Sequence, residues 1–252
     1  MNFDLINEFF DHVYVLTLKR ATDRHEKFTK TLQGLRYEVF YGKDKNDFDV
    51  NELKQAGIYD EELARKHERR SKAPNAGMIG CSWSHRLIYE DMISKQYSKV
   101  LILEDDIVIN KNTWQFLPDI LNELPPDWEL VYFGFAKNEV RPKAALVKQL
   151  FYHVLKFVGV LKYSHTTINN LFPKKVSKYI YTSGFHDCTH AYGITLEAAK
   201  KLVEMQTPIS YYPDNLLAFA ATNKILKAYI CLPKLIDQEY QVGMSSQSYV
   251  NS

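Results

Sequence analysis

Three consecutive carboxylates, Glu104, Asp105 and Asp106, directly follow an apolar run at residues 100–103. A run this apolar and this rich in β-branched residues predicts a strand buried on both faces, at the centre of a parallel sheet. Acids at the carboxyl end of such a strand lie where open α/β folds bind their ligands. Their oxygens suit Mg²⁺ or Mn²⁺, and side-chain alternation along a strand predicts that Glu104 and Asp106 share a face. The competing interpretation is a solvated acidic turn.

Cations follow the first predicted strand, residues 13–18, at Lys19, Arg20 and Arg24. Cations at the carboxyl end of a strand and beside a helix N-terminus suit the binding of a pyrophosphate. Exposed arginines after a strand are common, so this pattern leaves the function of Arg20 and Arg24 open. The chain contains neither GxGxxG nor GxxxxGKS/T, which excludes a Rossmann dinucleotide fingerprint and a P-loop.

Two predicted helix starts carry further candidates. Residues 77–85 (GMIGCSWSH) are rich in small residues, which allow a ligand or a neighbouring helix to approach Gly80 closely. His85 in this segment is either a ligand contact or a histidine satisfied inside the fold. Asp214, which precedes a short predicted helix, is either an N-cap or a general base directed into a cleft.

Residues 186–190 (HDCTH) place two histidines four positions apart. The segment lacks the glutamate of an HExxH motif, and its β-branched and aromatic neighbours favour a strand. A structural zinc held by His186, Cys188 and His190 is therefore the weaker interpretation. We expect Asp187 to be a second candidate catalytic carboxylate, and His186 and His190 to lie near the acceptor or the metal.

Strands and helices alternate over the first half of the chain, which predicts an α/β fold with a doubly wound, mostly parallel sheet flanked by helices. The predicted strands cover residues 13–18, 37–41, 99–106, 128–133, 189–194 and 225–232. The predicted helices cover residues 23–34, 49–70, 77–95, 112–124, 196–205 and 215–222, with capping boxes at Asp23/Glu26 and Asp49/Glu52 and a cap at Thr195. We expect a single domain over residues 1–252.

Composition is that of an ordinary globular protein, with 46% hydrophobic and 25% charged residues. The three cysteines, Cys81, Cys188 and Cys231, form no CxxC pair, which favours a reduced, cytoplasmic environment over a disulfide framework. The first residues, MNFDLINEFFDHVYVL, lack the basic start of a signal peptide, and no run of apolar residues is long enough to predict a membrane-spanning helix.

The net charge of +2 conceals a strongly basic segment at residues 137–178. This basic segment holds eight lysines and one arginine against one glutamate, and we interpret it as an insertion in the domain. Within it, Phe151, Val154, Leu155 and Val158 lie at helical spacing between lysines, as in helices that lie on anionic membranes. A helix packed on its own core with a solvated lysine face is the equal alternative. A nucleic-acid patch is disfavoured because no nucleic-acid motif accompanies the charge.

Taken together, these motifs resemble glycosyltransferase family 25, the lipopolysaccharide and lipooligosaccharide sugar transferases of bacteria. The matching segments occur in family order and span nearly the whole chain. They are VYVLTLKRATDR (13–24), GMIGCSWSH (77–85), VLILEDDIVI (100–109), WELVYFG (128–134), HAYGITLEAAKKL (190–202) and YPDNLL (212–217).

The resemblance implies a GT-A-like nucleotide-sugar fold and inverting, metal-dependent transfer, with galactose from a UDP-sugar as the leading candidate and a lipooligosaccharide or other glycan or glycolipid as acceptor. It implies Asp214 as the base and Mn²⁺ or Mg²⁺ at Glu104 and Asp106. The implied donor-binding residues are Thr17, Leu18, Arg20, Arg24, Gly80, His85 and Asp105. From the cysteine content and the basic segment we expect a cytoplasmic location, with a peripheral contact at the cytoplasmic face of the inner membrane.

Two other function classes remain open. Another metal-dependent nucleotide enzyme, a nucleotidyltransferase or a phosphohydrolase, could use the same acids. A non-catalytic sugar-nucleotide-binding protein is the second alternative, because Met78 stands where the family often has an acid and no histidine follows His190.

Overall fold

The computed structural model describes residues 2–68 and 73–244. In these residues the helices are α1 (Asp4–Phe9), α2 (Thr22–Thr31), α3 (Val50–Gln55), α4 (Glu61–His67), α5 (Ala76–Lys95), α6 (Leu117–Glu123), α7 (Ala145–Phe157), α8 (His165–Asn169), α9 (Leu196–Met205) and α10 (Pro213–Thr222). The strands are β1 (His12–Thr17), β2 (Glu38–Tyr41), β3 (Lys99–Glu104), β4 (Ile107–Ile109), β5 (Leu130–Ala136), β6 (Lys174–Lys175), β7 (Ile180–Thr182), β8 (Asp187–Thr195), β9 (Ala228–Cys231) and β10 (Ile236–Gln238).

Eight of these strands form the central sheet, in the order β2-β1-β3-β8-β5-β9-β7-β6. The strands β1, β2, β3, β5, β6 and β9 run in one direction, and β7 and β8 run against them. The predicted α/β class with a mostly parallel sheet is therefore confirmed. The prediction that β3 lies between parallel neighbours is wrong on one side, because β8 inserts antiparallel between β3 and β5.

Helices cover both faces of this sheet, as a doubly wound fold requires. Alternate residues of β1 and β3 enter two separate apolar cores, because successive side chains on a strand point to opposite faces. One core, formed with α1, α2 and α6, takes Val13, Val15, Leu101 and Leu103. The other core, formed with α5, α9 and α10, takes Tyr14, Leu16, Val100 and Ile102.

Local sequence signals predicted several element boundaries closely. The bounds of β1, β3, α5 and α9 agree within two residues, and both Asp49 and Thr195 accept hydrogen bonds as N-caps. The capping box at Asp23 and Glu26 is wrong, because α2 begins after Ala21 and Asp23 lies inside its first turn. The predicted helical region at residues 49–70 divides into α3 and α4, and its residues 69 and 70 lie outside the described residues.

The remaining boundaries differ more. A 3₁₀ turn (Trp114–Phe116) precedes α6, which is shorter than predicted, and β9 is also shorter. The strands β5 and β8 each extend beyond their predicted limits. Within the two described ranges, no helix combines the length and the apolar character needed to cross a membrane. The single domain over residues 1–252 with an insertion at 137–178 stays a prediction.

Candidate active site

The site lies at the carboxyl edge of the central sheet. β1 and β3 both end there, with Leu16 opposite Glu104. Because β8 runs antiparallel, its first residues reach the same edge, where Asp187 pairs with Ala136 at the end of β5. Residues that are far apart along the chain therefore converge on one edge, where ligands bind in open α/β folds.

Asp105 is held by the end of β1 and the start of α2. The Thr17 hydroxyl donates to Asp105 Oδ2 at 2.5 Å, and Arg24 Nη1 donates to Asp105 Oδ1 at 2.5 Å. Burial raises the pKa of Asp105, although Arg24 and Thr17 act in the opposite direction. The side chain of Arg24 is only 9% exposed, so its contact with the acids argues against the predicted pyrophosphate contact.

Asp106 is the least compensated of the three acids. Its carboxylate accepts hydrogen bonds from the Gln238 amide at 3.0 and 3.2 Å and lies 3.5 Å from Arg24 Nη1. Burial and the neighbouring Glu104 carboxylate raise the pKa of Asp106 to about 7. An acid that resists ionisation near neutral pH here reflects both burial and neighbouring negative charge, and a bound cation would offset that charge.

Glu104 faces a different set of partners. It accepts a hydrogen bond from the Thr189 hydroxyl at 2.6 Å, and His85 Nε2 lies 3.6 Å from Glu104 Oε1. Burial alone would raise the pKa of Glu104, but His85 and Thr189 outweigh it and lower that pKa. The other ring nitrogen of His85 bonds the Tyr192 hydroxyl at 2.8 Å, which in turn bonds Tyr89 at 2.8 Å. This buried chain orients His85 toward Glu104.

The strand alternation on which the prediction for the three acids rests ends at Glu104. β3 ends at Glu104, so Asp105 and Asp106 lie in the turn before β4 and no longer follow the strand period. Arg24 consequently contacts both Asp105 and Asp106, whereas Glu104 turns toward His85. The alternative of a solvated acidic turn also fails, because Asp105 is buried and Asp106 is only 13% exposed.

Asp214 approaches the same site from α10. It lies in the first turn of the helix, whose N-cap is Tyr212, so Asp214 is not the N-cap. The charges of Glu104 and Asp214 both add to burial in raising the pKa of the Cys81 thiol and of the Cys188 thiol. Both cysteines therefore lie within electrostatic range of the acid cluster and of Asp214.

The two histidines of β8 and its preceding loop have structural partners. His186 Nε2 accepts from the Gly184 amide and its Nδ1 contacts the Lys137 carbonyl, both at 2.9 Å. Burial lowers the pKa of His186 to about 4, so it is neutral near pH 7. His190 Nε2 lies 3.4 Å from the Ile236 carbonyl, and burial lowers its pKa as well. For His186, these backbone bonds use both ring nitrogens, so its position near the acceptor or the metal stays a prediction.

Other predicted residues also have defined positions. A Cβ on Gly80 would lie 2.5 Å from the Lys43 carbonyl. The missing side chain of Gly80 therefore makes room for the loop after β2 instead of a ligand. Arg20 pairs with Asp44 and keeps 35% of its side chain exposed. The Leu18 carbonyl contacts His25 Nε2 at 3.0 Å. Asp187 pairs with Lys137.

Two of the three acids are candidates for holding a hard divalent cation. Within the described ranges, no group of three or more His, Cys, Asp or Glu side chains is placed to hold a metal, which leaves no support for the zinc interpretation there. Mg²⁺ and Mn²⁺ are commonly bound through one or two carboxylates, with water and substrate phosphates in the other positions. Glu104 and Asp106 match that pattern, and the raised pKa of Asp106 supports it.

Sequence reasoning missed Thr189, Gln238 and the proximity of Cys81 and Cys188 to the charged acids. Gln238 reaches Asp106 because β10 pairs antiparallel with β4, and nothing in its local sequence predicts that pairing. Thr189 had a usable signal, since it is the polar residue beside His190 at the start of a predicted strand.

Comparison with known proteins identifies the family. A sequence model of glycosyltransferase family 25 (LPS biosynthesis protein) matches residues 10–217, which include every strand from β1 to β8 and the start of α10. The chain belongs to glycosyltransferase family 25. The predicted resemblance is thus confirmed.

Curated relatives of this family 25 chain include animal proteins. Mouse procollagen galactosyltransferase 2 is 26% identical over 200 residues, 77% of this chain and 27% of the relative. A glycosyltransferase 25 family member of Anopheles gambiae is 30% identical over 206 residues, 79% of this chain and 29% of the relative. A bovine relative, 22% identical over 202 residues, is named probable inactive glycosyltransferase 25 family member 3. The chain spans less than a third of the length of these relatives.

Proposed function

We propose that this chain is an inverting glycosyltransferase that moves a hexose from a nucleotide sugar to the hydroxyl of a glycan acceptor. The observation that carries the proposal is the convergence of Glu104, Asp105 and Asp106 at the carboxyl edge of the sheet in a family 25 chain. A nucleoside diphosphate is a leaving group that a cation-binding acid cluster suits.

The donor and acceptor follow from the relatives' names and the family description. Galactose from a UDP-sugar is the leading donor, because the mouse relative, among others, is named procollagen galactosyltransferase. The family is described by LPS biosynthesis, which favours a lipooligosaccharide or another lipid-linked glycan as acceptor, at the cytoplasmic face of a membrane. Procollagen is the alternative acceptor that the animal relatives' names suggest.

Glu104 and Asp106 would hold Mn²⁺ or Mg²⁺ together with the donor phosphates. When bound, such an ion stabilises the negative charge of the departing diphosphate as a Lewis acid. Thr17 and Arg24 position Asp105 beside these acids, and Asp105 would contact the donor nucleoside. Arg20 is the more exposed of the two arginines and would contact the pyrophosphate.

Asp214 is the proposed general base. Its carboxylate takes the proton of the acceptor hydroxyl while the acceptor oxygen forms a bond to the anomeric carbon. The bond from that carbon to the diphosphate oxygen breaks on the opposite face, which inverts the configuration. Asp187, whose carboxylate is engaged in an ion pair with Lys137, is the second candidate.

A thermal-shift panel of nucleotide sugars, each with and without Mn²⁺, tests donor binding. A ligand that binds the native state raises the apparent melting temperature by mass action. We expect a shift with UDP-galactose that requires Mn²⁺ and is absent in Asp106→Ala. A failure of every nucleotide sugar to shift the wild type would overturn the proposal and favour another metal-dependent nucleotide enzyme.

Turnover of Asp214→Asn tests the base. A positioned general base contributes about 10²- to 10⁴-fold, so kcat should fall by that factor while the donor-induced thermal shift remains. Asp187→Asn is the matched comparison, and we expect it to retain more activity. Wild-type turnover in Asp214→Asn would eliminate it as the base, and donor binding without any transfer in the wild type would favour a non-catalytic protein.

A further inference from the structure

The helix α7 faces solvent with its apolar side. Six of its outward residues and the following Val158 are between 52% and 92% exposed. The six are Leu146, Val147, Leu150, Phe151, Val154 and Phe157. Their spacing places them on one broad face of the helix. We call this surface the α7 face. Apolar patches of this kind are rare on proteins that have no partner there.

The side of α7 that packs on the protein is short and partly polar. Ala145 and Gln149 are its buried residues, and the Gln149 amide donates to the carbonyls of Ile168 at 2.8 Å and Asn169 at 3.0 Å. The helix does pack on a small apolar cluster through Ala145 and Tyr152, but its solvent side is mainly apolar, so the predicted alternative of a solvated lysine face is wrong.

Basic residues lie on and beside the helix that carries the α7 face. The exposed basic residues on and beside the helix are Arg141, Lys143, Lys148 and Lys162. The single acid of the basic segment, Glu139, is paired with Lys234. An apolar helix face bordered by cations matches the interface of a membrane with anionic headgroups, where apolar residues enter the acyl boundary and lysines contact phosphates. A second copy of this chain would instead bring like charges together.

We propose that the α7 face docks onto an anionic lipid membrane, with α7 lying in the plane of the interface. The helix is fixed to the body of the protein through α8, since Ile168 and Phe172 share an apolar cluster with Ala218 of α10. Asn170 also donates to the Thr222 carbonyl at 2.9 Å. Docking therefore holds α10, which carries Asp214, close to the bilayer. That last consequence alone rests on the proposed function, because it places the acceptor side of the site at the membrane.

Co-sedimentation with lipid vesicles tests the docking, using the full chain without any sugar nucleotide. We expect binding to vesicles of phosphatidylcholine with about one third phosphatidylglycerol, and at least about tenfold weaker binding to phosphatidylcholine alone. Raising salt from about 0.1 M to about 0.5 M should weaken binding by a similar factor, because the Debye length shortens.

Matched variants separate the apolar and the charged contributions. The double variant Leu150→Ser/Phe157→Ser should lose at least about tenfold in vesicle affinity, whereas Leu5→Ser, an exposed apolar residue on α1, should lose none. Lys143→Gln/Lys148→Gln should lose affinity for the anionic vesicles, and Lys30→Gln on α2 should not. Unchanged thermal melting in each variant shows that the fold is retained.

Three results would overturn the proposal. The first is an absence of wild-type vesicle binding, and the second is vesicle binding by Leu150→Ser/Phe157→Ser equal to that of the wild type. The third is a wild-type dimer in sedimentation velocity that this double variant dissociates, since a second copy would then cover the α7 face. None of these results affects the thermal-shift test of donor binding, so failure of docking and failure of the proposed function are distinguishable.

Discussion

The acid cluster and the α7 face depart in opposite directions from the usual arrangement of polar residues outside and apolar residues inside. Glu104, Asp105 and Asp106 are charged groups withdrawn from water, and the leucines and phenylalanines of α7 are apolar groups left in it. Both departures cost free energy unless a partner compensates. The regions differ in where that partner comes from.

The chain itself supplies much of the compensation for the acid cluster. Thr17, Arg24, Thr189 and Gln238 each donate to one of the three carboxylates. The α7 face remains more than half exposed within the part of the chain that the structure describes, so its partner must come from elsewhere. Substitutions of the residues that bind the acids should therefore lower the stability of the protein. Substitutions on the α7 face should instead change only the binding of its partner.

The largest effect on stability is expected from Arg24→Met. Removing one member of a buried ion pair leaves uncompensated charge and typically costs about 3–5 kcal/mol. Urea unfolding should show that loss, and Arg20→Met, at a more exposed pair, should cost less than about 1 kcal/mol. Equal effects of the two substitutions would mean that Arg24 does not compensate the acids.

Asp106→Asn should stabilise the metal-free protein at high pH. The pKa of Asp106 is raised from 3.8 to about 7 on folding, so between these values the native state binds the extra proton and stability falls as pH rises. The advantage of the variant should be about 2–4 kcal/mol at about pH 8 and should vanish as pH falls toward about 4.

Unfolding across this pH range with and without Mn²⁺ measures the effect. Excess Mn²⁺ should stabilise the wild type but not Asp106→Asn. The difference in free energy of unfolding between the two proteins should therefore become smaller. Asp119→Asn, an exposed acid on α6, is the control and should show neither behaviour. If the stability of the wild type relative to Asp106→Asn instead rises between about pH 4 and about pH 7, the pKa of Asp106 is not raised on folding.

Gln149→Ala, a substitution on the buried side of α7, should lower the free energy of unfolding by an intermediate amount. The substitution leaves the carbonyls of Ile168 and Asn169 without their side-chain donor, which costs about 1–3 kcal/mol for buried groups. Urea unfolding of the variant should therefore show a lower midpoint with an unchanged slope. A midpoint equal to the wild type would indicate that water satisfies these carbonyls.

The smallest effect is expected one residue further along the helix, at Leu150→Ser. Surface substitutions usually change stability by less than about 0.5 kcal/mol, and Leu150 is 66% exposed. The same urea experiment, without lipid, compares these adjacent positions directly. A loss at Leu150 as large as that at Gln149 would mean that protein already covers the α7 face.

Sequence reasoning located the site because its main signals are local. The buried run before Glu104, the Thr195 cap of α9 and the motif at residues 77–85 each depend on neighbours within a few positions. It did not predict contacts that strand pairing creates between distant parts of the chain. Gln238, for example, lies 132 residues from Asp106 and reaches it through the pairing of β10 with β4. It also failed at the end of β3, where the strand period stops and the turn geometry decides the direction of each acid.

The amino-acid sequence by itself determined the family, the α/β class and the position of the acids at the end of a strand, because periodicity and short motifs express these directly. Tertiary structure decided that β8 lies antiparallel between β3 and β5, which brings Thr189 to Glu104. It also decided which side of α7 is buried. Helical spacing defines two faces of a helix, but only the surrounding surface determines which of them packs inward.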